Sequence, residues 1–228
     1  MISEVAAGGS EEFDGWSSAV YFIPSVGPEY ESGLVDGKRV LLLGESHYAS
    51  DPAAPASGRR CTRDVFDDYQ TCDLWPGNRF FGKLQRIATR NTNPTAQESN
   101  LAWERIAFAN FVQEFVGDGP RQRPTRDQWK TGQPALTEIV RRLRPHAVLV
   151  LGRATWNHIT DGQASDEAPI QMPGRPERSI WLMPYEGGYA KSTWIYHPST
   201  GYDSTASAIK VFEALLDRIQ LSGPQLKS

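Results

Sequence analysis

The chain has 228 residues, the length of one large domain or of a domain with an appended arm, and its 39% hydrophobic against 22% charged residues supply enough apolar material for a core. That balance excludes wholesale disorder and a fibrous repeat. The net charge of −3 hides an uneven distribution: residues 1–36 hold seven acids and no Lys or Arg, so the remainder carries +4, and Arg121 to Arg153 holds eight basic residues against two acids. Such a stripe attracts phosphates by Coulomb steering, although a solvated helix face plus a loop has the same composition. The longest apolar runs are strand length, far short of the roughly 18 residues a membrane span needs. Met1 to Asp14 carries acids and glycines where a secretory signal has basic and then apolar residues. Cys61 and Cys72 are the only cysteines, too few for a disulfide framework. A cytoplasmic monomer that does not engage a membrane is expected.

Residues 1–36, acidic and rich in Gly, Ser and Pro, read as an N-terminal arm whose aromatic patch (Trp16, Tyr21, Phe22) packs on the body, with 37–228 as a single domain. Val40 to Leu43 is an apolar run without alternation, the pattern of a strand buried on both faces. A loop of Pro, Ala, Ser and Gly follows to Arg60, then a partly helical stretch over Cys61 to Leu74. Asn78 stands where it caps a helix Arg79 to Thr89, with Phe80, Leu84 and Ile87 on one face. Ile106 to Phe111 reads as a strand, Gly117 to Arg126 as a basic loop, and Trp129 to Leu143 as a helix ended by Pro145. Ala147 to Leu151 is a third strand, opening at Gly152 into a helix that starts near Ala154. After a loop over 160–178, Ser179 to Met183 and Thr193 to Tyr196 are strand candidates, and Ser204 to Ile219 is an amphipathic helix. Strands alternating with helices predict an α/β fold: three α/β/α layers around a central, mainly parallel sheet of four to five strands. In such sheets ligands bind beyond the carboxyl ends of the strands.

The residues that follow the strands are Gly44-Glu45-Ser46-His47-Tyr48, Asn110, Gly152 and His197-Pro198-Ser199. One His or Asn at a strand end is usually a cap; a polar set after four strands is harder to explain that way. With these residues and Trp75-Pro-Gly-Asn-Arg-Phe-Phe-Gly-Lys-Leu84, the chain from Lys38 to Ile219 resembles the uracil-DNA glycosylase superfamily. The 75–84 segment is similar to the Pro-Gly-Asn-Arg/His-Phe-Trp-Lys segment of the mismatch-specific uracil/thymine glycosylases. Gly44 to Tyr48 falls where the family has its first catalytic motif, Phe108 to Val112 where an Asn reads the base, Val148 to Thr155 where a strand precedes a Leu-Gly turn, and His197-Pro198-Ser199 where it has its second motif. The resemblance implies a uracil-DNA glycosylase-like fold and a monofunctional DNA glycosylase acting on single- or double-stranded DNA without metal or cofactor.

The chemistry of such a reaction is independent of the resemblance. Cutting an N-glycosidic bond develops positive charge on the sugar and negative charge on the departing base, so the site needs an anion stabiliser and a water positioner. His197 suits the first role and Glu45 the second. Asn110 offers the donor and acceptor needed to read a flipped base's edge. Phe80 or Phe81 stacks on that base, and Ser46, His47 and Tyr48 complete its pocket, Tyr48 standing where uracil-specific relatives block the C5 side. Asn78, Arg121, Arg123, Arg126, Arg153, Ser199, Thr200 and Tyr202 are the expected DNA contacts, with Tyr202 as a wedge.

The departures leave the water-activating group open between Glu45 and His47. Ser46 stands where the uracil-specific branch has Asp, and relatives with a Gly-Glu first motif carry four cysteines for an iron–sulfur cluster that two cysteines cannot supply. With the long Ala49 to Leu74 segment, this points to a pocket for a modified, phage-type pyrimidine as readily as for uracil, in repair or in antiviral defence. Three rivals stand beside it. An esterase using Ser46, His197 and Asp203 lacks the Gly-x-Ser-x-Gly elbow; a metal enzyme lacks ligand spacing among His47, His146, His158 and His197; a catalytically inactive nucleic-acid-binding module on the same fold is the serious alternative.

Overall fold

A mixed sheet runs through the molecule, whose computed structural model describes residues 15–48, 58–71, 79–117, 119 and 122–221. Its strands in chain order are β1 (Ser25–Val26), β2 (Val40–Gly44), β3 (Ile106–Asn110), β4 (Ala147–Leu151), β5 (Gln163–Ala164), β6 (Trp181–Tyr185) and β7 (Gly188–Ile195), arranged side by side as β1-β3-β2-β4-β7-β6-β5. The middle four, β3-β2-β4-β7, are parallel. The other pairings, β1 with β3, β6 with β7 and β5 with β6, are antiparallel. The sheet thus has seven strands where the apolar runs predict four or five, because the two additions, β1 and β5, are two-residue edges.

Every residue of β2, β3 and β4 is buried, which is why these strands read as unbroken apolar runs. Alternate residues serve opposite faces. Val40, Leu42, Phe108 and Leu149 pack with Leu84 of α2 (Arg79–Thr89), Trp103 of α3 (Ala96–Glu104) and Phe212 of α7 (Thr205–Asp217), and Phe66 of α1 (Cys61–Thr71) joins them. Leu41, Leu43, Ala109, Val148 and Val150 pack with Trp129 of α4 (Arg126–Lys130), Leu136 and Ile139 of α5 (Gly132–Leu143) and Trp156 of α6 (Arg153–His158). The result is an α/β fold in three layers. Among the described residues no helix is long and apolar enough to cross a membrane.

Three elements depart from the sequence reading. The helix predicted from Trp129 begins at Arg126, where Thr125 and Gln128 form a reciprocal capping box, and it breaks at Thr131 into α4 and α5. The segment before β3, passed over by the apolar pattern, is α3, capped by the pair Thr95 and Glu98. Residues 15–36 are built into the domain rather than appended to it: Val20, Phe22, Ile23 and Tyr30 are buried, Phe22 N–H donates to Gln113 Oε1, and β1 adds to the sheet edge.

From β2 the chain crosses to β3 on one side and then returns to β4 on the other. The order reverses between β2 and β4, and at such a switch point the loops leaving the strands diverge and open a crevice at the carboxyl ends.

Candidate functional site

Two backbone bonds carry the β2–β3 ladder past the strand ends, Phe111 N–H to Gly44 O at 3.0 Å and Val112 N–H to Glu45 O at 2.9 Å. Asn110, buried, lies beside Gly44; a Cβ there would meet its Oδ1 at 2.2 Å, so the glycine is what lets the carboxamide lie across β2. The Glu45 side chain is also buried, and its Oε1 accepts from Arg123 Nη1 at 3.0 Å. Burial raises the carboxyl pKa, while the charges of Arg123 and His158 and the Arg123 hydrogen bond pull it down. The Arg123 side chain is 61% exposed, so it reaches the buried acid from a solvent-facing position.

His197 follows β7, two strands away from Glu45, which sets their backbones about 10 Å apart at a strand spacing of about 4.8 Å. Gly152, at the end of β4, lies between: a Cβ on it would be 3.9 Å from that of His197. Ser199 N–H donates to Nδ1 of His197 at 3.3 Å, and Ser199 Oγ lies 2.8 Å from the same nitrogen. A backbone N–H can only donate, so Nδ1 is the acceptor and the ring proton sits on Nε2. Burial, then the charges of Arg123 and Lys83, lower the imidazole pKa to about 4, and the ring is neutral at pH 7. Its Nε2–H is a donor without a partner among the described residues.

A buried network fixes the loop that carries His197. Asp203 Oδ2 accepts from Tyr196 N–H at 2.9 Å, and both its oxygens face Arg178 Nη2 at 3.3 and 3.4 Å, with neither side chain of this ion pair exposed. Lys83 of α2 donates to Asp203 O at 2.5 Å, and Arg178 lies 3.9 Å over the Trp194 ring. Thr200 closes the turn by donating its N–H to His197 O at 2.9 Å. Nothing in the sequence pattern marked Lys83, Arg178 or Asp203 as this support, because each is a lone charge in a helix or loop until the chain folds.

The structure brings Glu45, Asn110, Gly152 and His197 to neighbouring strand ends and leaves other predicted residues elsewhere. His47 points away: its ring is buried edge-on to Phe22, its Nε2 lies 2.9 Å from Thr62 Oγ1, and burial lowers its pKa to about 4. Phe81 belongs to the core, edge-on to Phe66. Phe80 stacks on His197 at 5.2 Å and 29°, so it backs the imidazole where stacking on a base is predicted. Tyr48 is 40% exposed, and the Ser46 hydroxyl is buried without a hydrogen-bond partner among the described residues. Arg126 and Arg153, at the starts of α4 and α6, and Ser199 and Tyr202 are exposed, and Thr200 is half-buried. Asn78 and Arg121 lie outside the described residues. The esterase arrangement does not assemble, since Asp203 is bound to Arg178 and Tyr196 while His197 Nδ1 faces Ser199.

One further pair borders the site. His158 at the end of α6 stacks flat on Trp129 of α4, 3.9 Å between centroids and 4° between planes, and donates Nδ1–H to Ala154 O at 2.9 Å. Two cavities lie at the opposite end of the sheet, about 1060 Å³ beside His146, Glu167, Lys191 and Arg218 and about 560 Å³ beside Arg39, Arg141, Arg142 and Arg144. No protein-family model matches the chain, and no curated protein matches it.

Proposed function

We propose that this chain is a DNA glycosylase that hydrolyses the N-glycosidic bond of a pyrimidine turned out of the DNA stack, leaving an abasic site. The observation that carries the reading is the pairing of a buried carboxylate with a neutral imidazole whose proton sits on the open nitrogen, at the switch point of a parallel sheet. As the C1′–N bond breaks, its electron pair passes into the base; Nε2–H of His197 donates to the oxygen on which that charge accumulates. The Glu45 carboxylate faces the cationic sugar and takes the proton of the water that attacks C1′. Asn110 reads the edge of the base, and the resemblance of 75–84 and 197–199 to the uracil-DNA glycosylase superfamily supports the same fold and substrate class. Extrusion costs a few kcal/mol, which the exposed Arg123, Arg126 and Arg153 offset through phosphate contacts, so binding weakens steeply with salt.

The competing reading, a binding module without catalysis, draws on one fact: Glu45 is already engaged by Arg123. Oligonucleotides, single- and double-stranded, bearing uracil, mismatched thymine, hypoxanthine or 5-substituted cytosines separate the two when treated with alkali after incubation. Scission at one of these bases, reduced about 10²- to 10³-fold in Glu45→Gln and in His197→Ala with DNA binding retained, is the expected result. Binding without scission at any base makes the chain a module. The base that is cut also separates routine repair from defence against phages with modified DNA.

A further inference from the structure

A buried carboxylate that must stabilise a cationic sugar has, in the DNA-free protein, a cation beside it already. Arg123 places Nη1 3.0 Å from Glu45 Oε1, and its charge acts on His197 as well as on Glu45. The approach is built into the backbone. Gly117 has φ +60, and the Gln122 carboxamide occupies the space its Cβ would fill, with Oε1 at 1.2 Å from that position, which closes the loop on itself just before Arg123. Pro124 is buried, Thr125 caps α4, and Gln128 Nε2 donates to Phe115 O at 3.0 Å. Those contacts tie Arg123 to the 111–116 loop, whose Val112 N–H binds Glu45 O.

We infer that Arg123 is a positioning residue that stands in for the cationic sugar: it holds Glu45 ionised and oriented in the free protein and leaves it for a DNA phosphodiester when the strand binds. This rests on the glycosylase reading and extends it. A guanidinium with one N–H on a buried acid, carried on an exposed side chain, has donors left for phosphate, which it binds in the same forked geometry. A carboxylate relieved of that bond is the stronger base and the better partner for positive charge on C1′. The same exchange makes binding and activation one event, because the acid is freed only where a phosphate has arrived. The other side chain that acts electrostatically on Glu45 is His158, held by Trp129 and Ala154 and therefore not free to replace Arg123.

The test reads the Glu45 carboxyl directly, by carbon NMR of the full chain with labelled glutamate, assigned through Glu45→Gln. Without DNA, Arg123→Gln raises the Glu45 midpoint by about 1 pH unit or more, and Arg123→Lys restores part of it; an unchanged midpoint in Arg123→Gln overturns the inference. A single-stranded oligonucleotide of unmodified bases, shown by anisotropy to bind, then raises the midpoint in the wild type more than in Arg123→Gln. An equal rise in both comes from the phosphate field alone and overturns the exchange while leaving the glycosylase reading intact. Failure of every oligonucleotide to bind, with the first titration as expected, overturns the DNA reading and the exchange together.

Discussion

The two ends of the sheet differ in how their polar groups are matched. At the amino ends, Arg39 N–H donates to His146 Nδ1 at 2.9 Å, the Arg39 guanidinium donates twice to Arg144 O, and Lys191 is held by Glu167 and Arg218 O. At the carboxyl ends, among the described residues, His197 offers an open Nε2–H and the hydroxyls of Ser46 and Thr155 are buried without a partner, against Arg105 Nε, just before β3, at the amino ends. An unmatched buried polar group costs about 1–3 kcal/mol, so a fold carries several at one place only where something else repays them. The two cavities lie at the amino ends and the candidate chemistry at the carboxyl ends. Unspent hydrogen-bonding capacity, rather than volume, is what singles out the carboxyl ends as the candidate site.

The largest expected effect tests whether the open groups rest on a closed foundation. Arg178→Met strands Asp203 in a site with no exposure, and breaking a fully buried ion pair by removing one partner costs about 3–5 kcal/mol. Urea unfolding checks this. Arg178→Met with Asp203→Asn recovers part of the stability, because Asn still accepts from Tyr196 N–H, while the excision rate stays low if the loop bearing His197 has lost its anchor. Recovery of both together means that the network supports the fold and does not position the imidazole.

A smaller effect marks where open gives way to closed within one turn. His47 lies two residues from Glu45, yet its ring is buried and its pKa lies at about 4, against 6.5 in the unfolded chain. As pH falls the unfolded chain takes up that proton first, so the stabilisation is full above pH 6.5 and disappears as pH approaches 4, a loss of about 3 kcal/mol. His197 titrates with the same sign, so the difference between proteins isolates His47: His47→Phe loses correspondingly less stability between pH 7 and pH 4. An excision rate in His47→Phe close to that of wild type assigns the water to Glu45. A pH dependence identical to wild type, with excision abolished, returns His47 to the site.

How much of this was legible from residues alone follows from how local each determinant is. Val40 to Leu43, Ala147 to Leu151 and the helix Arg79 to Thr89 were readable because apolar runs and helical spacing are properties of a few neighbours. The α3 helix escaped notice because only Ser99, Ala102 and Trp103 are buried along it, although its capping box at Thr95 and Glu98 was present. The hairpin of β6 and β7 was read short, since Tyr189 and Lys191 blur the alternation. Glu45, Asn110 and His197 sit at or within two residues of strand ends and so inherit their place from the topology. The direction of His47 depends instead on Phe22 and Thr62, and the burial of Arg178 on Trp194 and Asp203. Those partners meet only in the folded chain.

The smallest expected effect bears most directly on the contrast between the ends. Glu167 links Lys191, 14% exposed, with Arg218, 28% exposed, at the rim of the larger cavity. Partly exposed pairs of this kind are worth about 0–1 kcal/mol, because water and salt screen them and two long side chains must be ordered to form them. Glu167→Gln therefore lowers unfolding stability by no more than about 1 kcal/mol and leaves base excision within about twofold of wild type. Should excision collapse in Glu167→Gln while stability holds, the chemistry belongs to the amino ends and the large cavity, and the open groups beside His197 need another explanation.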